Sequence, residues 1–193
     1  MFMKVYFSGS AFYRDDYLAI YKKIKLTLTG LSLTVLGNIV ELSTSDYNNW
    51  TNDNRVSNYK QILKWVDQCD FAVIESSFPS TLHVGHEISL LLDKGKPVIG
   101  VYKNGHEPKM FMGIHDDRIR WVGYRNEADI EKILKEAVIE AKKNMDVRFN
   151  FFVSPKILNY LDYVAKNRMI PRAVFLRDLI EREMKKDKDF AEQ

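Results

Sequence analysis

The part of the chain best equipped for chemistry is Asp70-Phe-Ala-Val-Ile-Glu-Ser-Ser-Phe-Pro-Ser-Thr-Leu-His-Val-Gly-His-Glu87, where an apolar run leads through a Pro/Ser loop into a helix. The spacing predicts that this helix runs from about Val84 to Asp93, with Glu87 the carboxylate of its first turn. In an open α/β sheet, ligands bind beyond the carboxyl ends of the strands, and the unpaired amides of a helix start favour anions. Glu87 therefore stands where a ligand would lie. The plainer alternative is a helix-start acid held only by those amides. Asp70, where the strand begins, reads as a structural cap. Ser76, Ser77 and Ser80 lack the His/Asp context of a nucleophilic triad, which discounts serine-hydrolase chemistry. The single cysteine, Cys69, permits no intramolecular disulfide and no multi-cysteine metal site. Neither a metal nor a cofactor is expected.

Positioning such a carboxylate is the task of the surrounding elements. Met1 to Ser10 reads as a short aromatic and β-branched strand stopped by Ser8-Gly9-Ser10. From Asp15 to about Leu28, apolar residues recur at three- and four-residue steps, the pattern of an amphipathic helix. Leu31 to Leu42 is rich in strand formers. Ser43 to Asn58 is polar and predicts a long loop serving as a mobile lid. Helical spacing returns over Tyr59 to Gln68. Asp70 to Glu75 and Pro97 to Tyr102 read as buried strands, Arg120 to Tyr124 as a shorter one, and Glu127 to Lys143 as a helix. Alternating strands and helices imply a three-layer α/β fold, Rossmann-like or flavodoxin-like, with a parallel sheet.

After Lys143 the pattern changes. Val147 to Val153 alternates like a half-buried strand, Ser154-Pro155 caps a helix, and Pro171 opens a second helix ending near Lys186. Val174, Phe175, Leu176, Leu179, Ile180 and Met184 are expected to form that helix's buried face. The domain boundaries are thus placed at 1–143 and 147–187. A strand and two helices in about 40 residues make a poor core alone, so burial against a partner is expected.

Over roughly its first 140 residues the chain resembles the nucleoside 2-deoxyribosyltransferase family, and within it the 2'-deoxynucleoside 5'-phosphate N-hydrolase branch. The resemblance rests on Lys4-Val-Tyr-Phe-Ser-Gly-Ser10, Lys64-Trp65 followed by Asp70 to Glu75, Pro79-Ser80, Val84-Gly85-His86-Glu87 and Gly95-Lys-Pro-Val98, in that order. It implies cleavage or transfer at the N-glycosidic bond of a deoxynucleoside or deoxynucleotide. Glu87 would attack C1', with Tyr6 positioning nucleophile and sugar. Ser8, Gly9 and Ser10 would lie against the ligand, Gly85 would belong to the same site, and Ser80 would contribute to a phosphate-binding rim. A carboxylate suits attack at C1' because it stabilises oxocarbenium character and can bond to the carbon.

The chain departs from the family pattern at two places. Where the family carries an aspartate that assists proton delivery to the leaving base, this sequence has Ile62, so Asp46, Asp53 or Asp67 would have to substitute. The residues flanking Val84-Gly85 are His83 and His86, suited to binding phosphate or protonating a base. Tyr6 also admits a plain core-packing role.

The C-terminal segment resembles a ribbon-helix-helix unit. That implies a homodimer or higher oligomer and possible contact with DNA, Arg148 and Asn150 reading base edges, Phe152 either meeting a thymine methyl or packing against the first domain, and Arg172 touching phosphate. A degenerate pocket coupled to such a unit would make a nucleotide-sensing regulator. The formal charge of +3 does not decide between these partners. No apolar run reaches the roughly 18 residues of a membrane span, and a cytoplasmic protein is expected.

Overall fold

Phe71–Glu75 is buried at every residue, as a parallel strand covered on both faces must be. It is the middle strand of a five-stranded parallel sheet. The computed structural model describes residues 3–143 and 152–187. In chain order the elements are β1 (Lys4–Ser8), α1 (Arg14–Gly30), β2 (Thr34–Leu36), α2 (Thr44–Asn48), α3 (Asn52–Gln68), β3 (Phe71–Glu75), α4 (Leu82–Asp93), β4 (Val98–Lys103), β5 (Ile119–Tyr124), α5 (Glu127–Lys143), α6 (Pro155–Arg168) and α7 (Arg172–Met184). The strand order is β2-β1-β3-β4-β5, all neighbours parallel. The chain divides into two units, Met1–Asp146 and Val147–Gln193.

Side chains alternate across a strand, so β1 sends Val5 and Phe7 to one face of the sheet and Tyr6 to the other. Val5, Phe7 and Val73 join Tyr21, Ile24 and Leu28 of α1 and Ile130, Leu134 and Val138 of α5 in one core layer. Tyr6, Ala72 and Ile74 join Val66 of α3 and Val84, Ile88 and Leu91 of α4 in the other. The expected three layers are thus present. Asp70 accepts from the Lys4 amide at 2.7 Å, tying the starts of β1 and β3 together as a structural cap does.

Two sequence expectations need correction in this unit. Of the β-rich stretch Leu31 to Leu42, only Thr34–Leu36 pairs with β1. Gly37 then turns the chain at φ +121°, and a Cβ there would lie 2.2 Å from the Phe7 carbonyl oxygen, so glycine alone fits this crossing. Ser43 to Asn58 is not a long loop: it contains α2 and the first seven residues of α3. Ser43 Oγ accepts from the Asp46 amide, and Thr51 and Asn54 close a reciprocal capping box. Three of the residues that suggest a loop, Ser43, Thr51 and Asn54, instead cap these helices.

In the second unit, Ser154 Oγ accepts from the Ile157 amide at 3.4 Å, Pro155 opens α6, and Met169 ends it in the left-handed region at φ 55°. Leu161, Val164 and Phe175 form a small core, with Ile170 and Leu176 packed against it. The expected buried face of α7 is mostly exposed: Val174, Leu179, Ile180 and Met184 all face solvent, as do Ile157 and Leu158 of α6. Two helices offer too little apolar surface to cover all these side chains. Arg148 and Asn150 lie outside the described residues.

Candidate active site

The strand order changes direction between β1 and β3, and such a switch point opens a crevice at the carboxyl ends of the strands. A cavity of about 570 Å³ lies there, lined by the end of β1 and by faces of α3 and α4. That is ample for a small-molecule ligand. Each wall follows from the periodicity of its element. Tyr6 and Ser8, two residues apart on β1, turn to the α3/α4 face. On α3, Arg55, Asn58, Tyr59 and Ile62 fall at i, i+3, i+4 and i+7 and form one stripe toward the cavity. On α4, His83, His86 and Glu87 fall at i, i+3 and i+4 and share a face.

The Tyr6 hydroxyl donates to Glu87 Oε2 at 2.9 Å, and both residues are almost fully buried. The Tyr6 ring stacks on Trp65, with centroids 6.2 Å apart, and this fixes the direction of its hydroxyl. Tyr6 is therefore both a core residue and a cavity residue. Burial pushes the Glu87 carboxyl up to about 7, against the pull of the Ser8 and Tyr6 hydroxyls, which favour its ionised form. Burial, with the Glu87 charge adding to it, raises the Tyr6 phenol well above its ordinary value and keeps it a hydrogen-bond donor.

Glu87 lies in the second turn of α4, because the helix starts at Leu82 rather than near Val84. No acid occupies the first turn, so the amides of the helix start do not account for Glu87. Its surroundings are the cavity and the two hydroxyls.

Of the residues singled out by sequence, Tyr6, Ser8, Gly9, His83, His86 and Glu87 line one cavity. Ser10, Ser80 and Gly85 do not. Ser10 is buried, its hydroxyl accepting from the Tyr13 amide at 3.2 Å and its carbonyl from the Tyr21 hydroxyl. Gly85 makes room for Phe111, whose ring would meet an added Cβ at 2.5 Å. Ser76 and Ser77 serve the backbone and Glu75: Ser76 Oγ donates to the Val101 carbonyl, and Ser77 Oγ donates to Glu75 while accepting from the Lys103 amide. Asp46, Asp53 and Asp67 are absent from the lining, and Asp67 instead pairs with Lys94 at 2.7 Å.

Residues that sequence reasoning missed include Arg55, Tyr47, Trp50 and Tyr59. The Arg55 guanidinium sits over the Tyr47 ring, 5.4 Å from its centroid, and Tyr47 and Trp50 meet at 5.1 Å. Among the described residues, Arg55 is the only arginine or lysine in the lining. The helical spacing from Arg55 to Ile62 is the signal that could have revealed this wall. Glu75, a second buried carboxyl raised to about 7 by desolvation, bonds to Ser77 and to the Tyr124 hydroxyl, not to the cavity.

No protein-family model and no curated protein matches the chain. Among solved structures it is similar to a CMP N-glycosidase of Clostridium botulinum, at TM-score 0.49 and 16% identity over 69% of this chain and 98% of that one. It is also similar to a de novo designed Rossmann 2x3 protein, at TM-score 0.42 and 11% identity over 80% of this chain and 100% of that one.

Proposed function

We propose that the unit Met1–Asp146 cleaves the N-glycosidic bond of a 2'-deoxynucleoside 5'-monophosphate, with Glu87 as nucleophile. The observation that carries this reading is a buried carboxylate at a cavity wall, oriented by a buried tyrosine hydroxyl 2.9 Å away. An ionised carboxylate in such a place is costly until positive charge develops beside it. The oxocarbenium-like transition state at C1' supplies that charge, and in a low-dielectric pocket the attraction is strong. Tyr6 and Ser8 hold the carboxylate oxygens toward the sugar.

Attack at C1' releases the base and leaves a glycosyl ester on Glu87. Water resolves that ester to free sugar phosphate, and a second base would resolve it by transfer. Tyr47 and Trp50 offer aromatic faces to the base, while Arg55 offers a forked donor to the 5'-phosphate. The deoxyribose follows from the resemblance of Lys4 to Ser10 and Val84 to Glu87 to the deoxyribosyl family. Incubation with a panel of deoxynucleoside monophosphates, followed by chromatography, should show free base. Absence of base from every member, or equal release by Glu87→Ala, refutes the reading.

The exposed apolar side chains of α6 and α7 favour a second reading, in which paired copies hold DNA and the pocket senses a nucleotide. In it, Phe152, whose side chain is fully exposed, and Arg172, which pairs with Asp162 at the start of α7, join Arg148 and Asn150 in contacting DNA. Salt-dependent binding of operator-length duplex that weakens in Arg148→Ala supports it, and no binding at low salt refutes it.

A further inference from the structure

Resting on the glycosidic reading, the cavity raises a specific question. A base leaves as an anion unless it is protonated, and glycosidases built on two carboxylates use the second as the acid. Among the described residues the lining holds one carboxylate, Glu87, already committed to C1'. Ile62 occupies the position where an acid is expected, and Asp46, Asp53 and Asp67 lie away from the lining.

One turn before Ile62 on the same stripe of α3 stands Tyr59, whose hydroxyl meets His86 Nε2 at 2.8 Å. The two rings lie 5.7 Å apart, tilted by 34°, and both residues line the cavity. The pair bridges α3 to α4, and His86 is the immediate neighbour of the nucleophile. His83 sits one turn closer to the start of α4.

We infer that Tyr59 and His86 form the proton relay that discharges the leaving base. The Tyr59 hydroxyl gives its proton to a base nitrogen as the C1'–N bond breaks, and the bonding electron pair stays on the base. The phenolic oxygen takes the Nε2 proton of the His86 imidazolium, leaving a neutral imidazole. When water attacks the glycosyl ester, its proton returns through Tyr59 to His86, so the cycle closes without an external reagent. Tyr59 is the group that touches the base, and His86 acts through it.

The test compares wild type, Tyr59→Phe, His86→Gln and the double variant on two substrates. One is the best unmethylated deoxynucleotide of the panel. The other is 7-methyl-2'-deoxyguanosine 5'-monophosphate, whose base is already cationic and leaves without protonation. In single turnover, each single variant should lose roughly 10²- to 10⁴-fold in the rate of base release from the unmethylated substrate and only a few-fold from the methylated one. The double variant should be no worse than the singles, because removing either member breaks the relay. Equal losses on both substrates, unchanged rates, or losses that multiply in the double variant overturn the relay. Failure of wild type to release base from either substrate instead overturns the glycosidic reading.

Discussion

Replacing Glu87 by glutamine should stabilise the protein, and by an amount that grows with pH. The carboxyl is raised from its ordinary 4.5 to about 7 by burial. Below 4.5 it is protonated in both the fold and the unfolded chain, and its contribution to stability is fully present. Between 4.5 and 7 the unfolded chain ionises while the fold does not, so stability falls as pH rises. Above about 7 the fold ionises too and the loss levels off. At roughly 1.4 kcal/mol per pH unit across that window, the ionised carboxylate costs the fold about 3 kcal/mol at pH 8, and under ~1 kcal/mol at pH 5. Glutamine carries no such cost and keeps an oxygen to accept from Tyr6. Urea unfolding of both proteins at pH 5, 6, 7 and 8 measures the difference. The three tryptophans, Trp50, Trp65 and Trp121, all belong to the unit that holds the cavity, so their fluorescence reports its unfolding. Glu75 also rises to about 7, but it is common to both proteins and cancels. A stability gap that does not change with pH would refute the claim that Glu87 is buried without a cationic partner.

Other outcomes follow from the same geometry. Tyr6→Phe removes a donor from the buried carboxylate, a bond to a charged group worth about 1.5–3 kcal/mol, so kcat/KM should drop roughly 10- to 100-fold. Because the Tyr6 hydroxyl lowers the Glu87 value, the rise of kcat/KM with pH, centred near 7 in wild type, should move upward in that variant. Arg55→Ala should raise KM for monophosphates roughly 10- to 100-fold while leaving the corresponding nucleosides little changed; parallel losses on both would remove Arg55 from phosphate recognition. Gly37→Ala places a Cβ against the Phe7 carbonyl at a positive φ and should lower stability by at least about 1–3 kcal/mol in urea titration.

The core sheet is legible in the residues because buried parallel strands leave uninterrupted apolar runs, and residues 71–74 are such a run. The place of Glu87 at the cavity is legible through the strand and loop that lead into its helix. Its place in α4 is shifted because the helix begins at Leu82, which is 86% exposed and adds nothing to an apolar stripe. The wall made by α3 is hidden for a related reason. Its inward residues Arg55, Asn58 and Tyr59 face a cavity rather than the core, so apolar periodicity begins only at Ile62. The caps Ser43, Thr51 and Asn54 are residue types shared with loops. In α6 and α7 periodicity identifies an apolar face but says nothing about what covers it, and most of that face is exposed.

The most direct measurement is to quench turnover of a reactive deoxynucleotide in acid and map adducts by peptide mass spectrometry. A 2-deoxyribosyl 5-phosphate adduct on the peptide containing Glu87, absent from Glu87→Gln, is the expected result. Base release from wild type without any adduct, together with full activity in Glu87→Gln, would contradict a covalent role for this carboxylate.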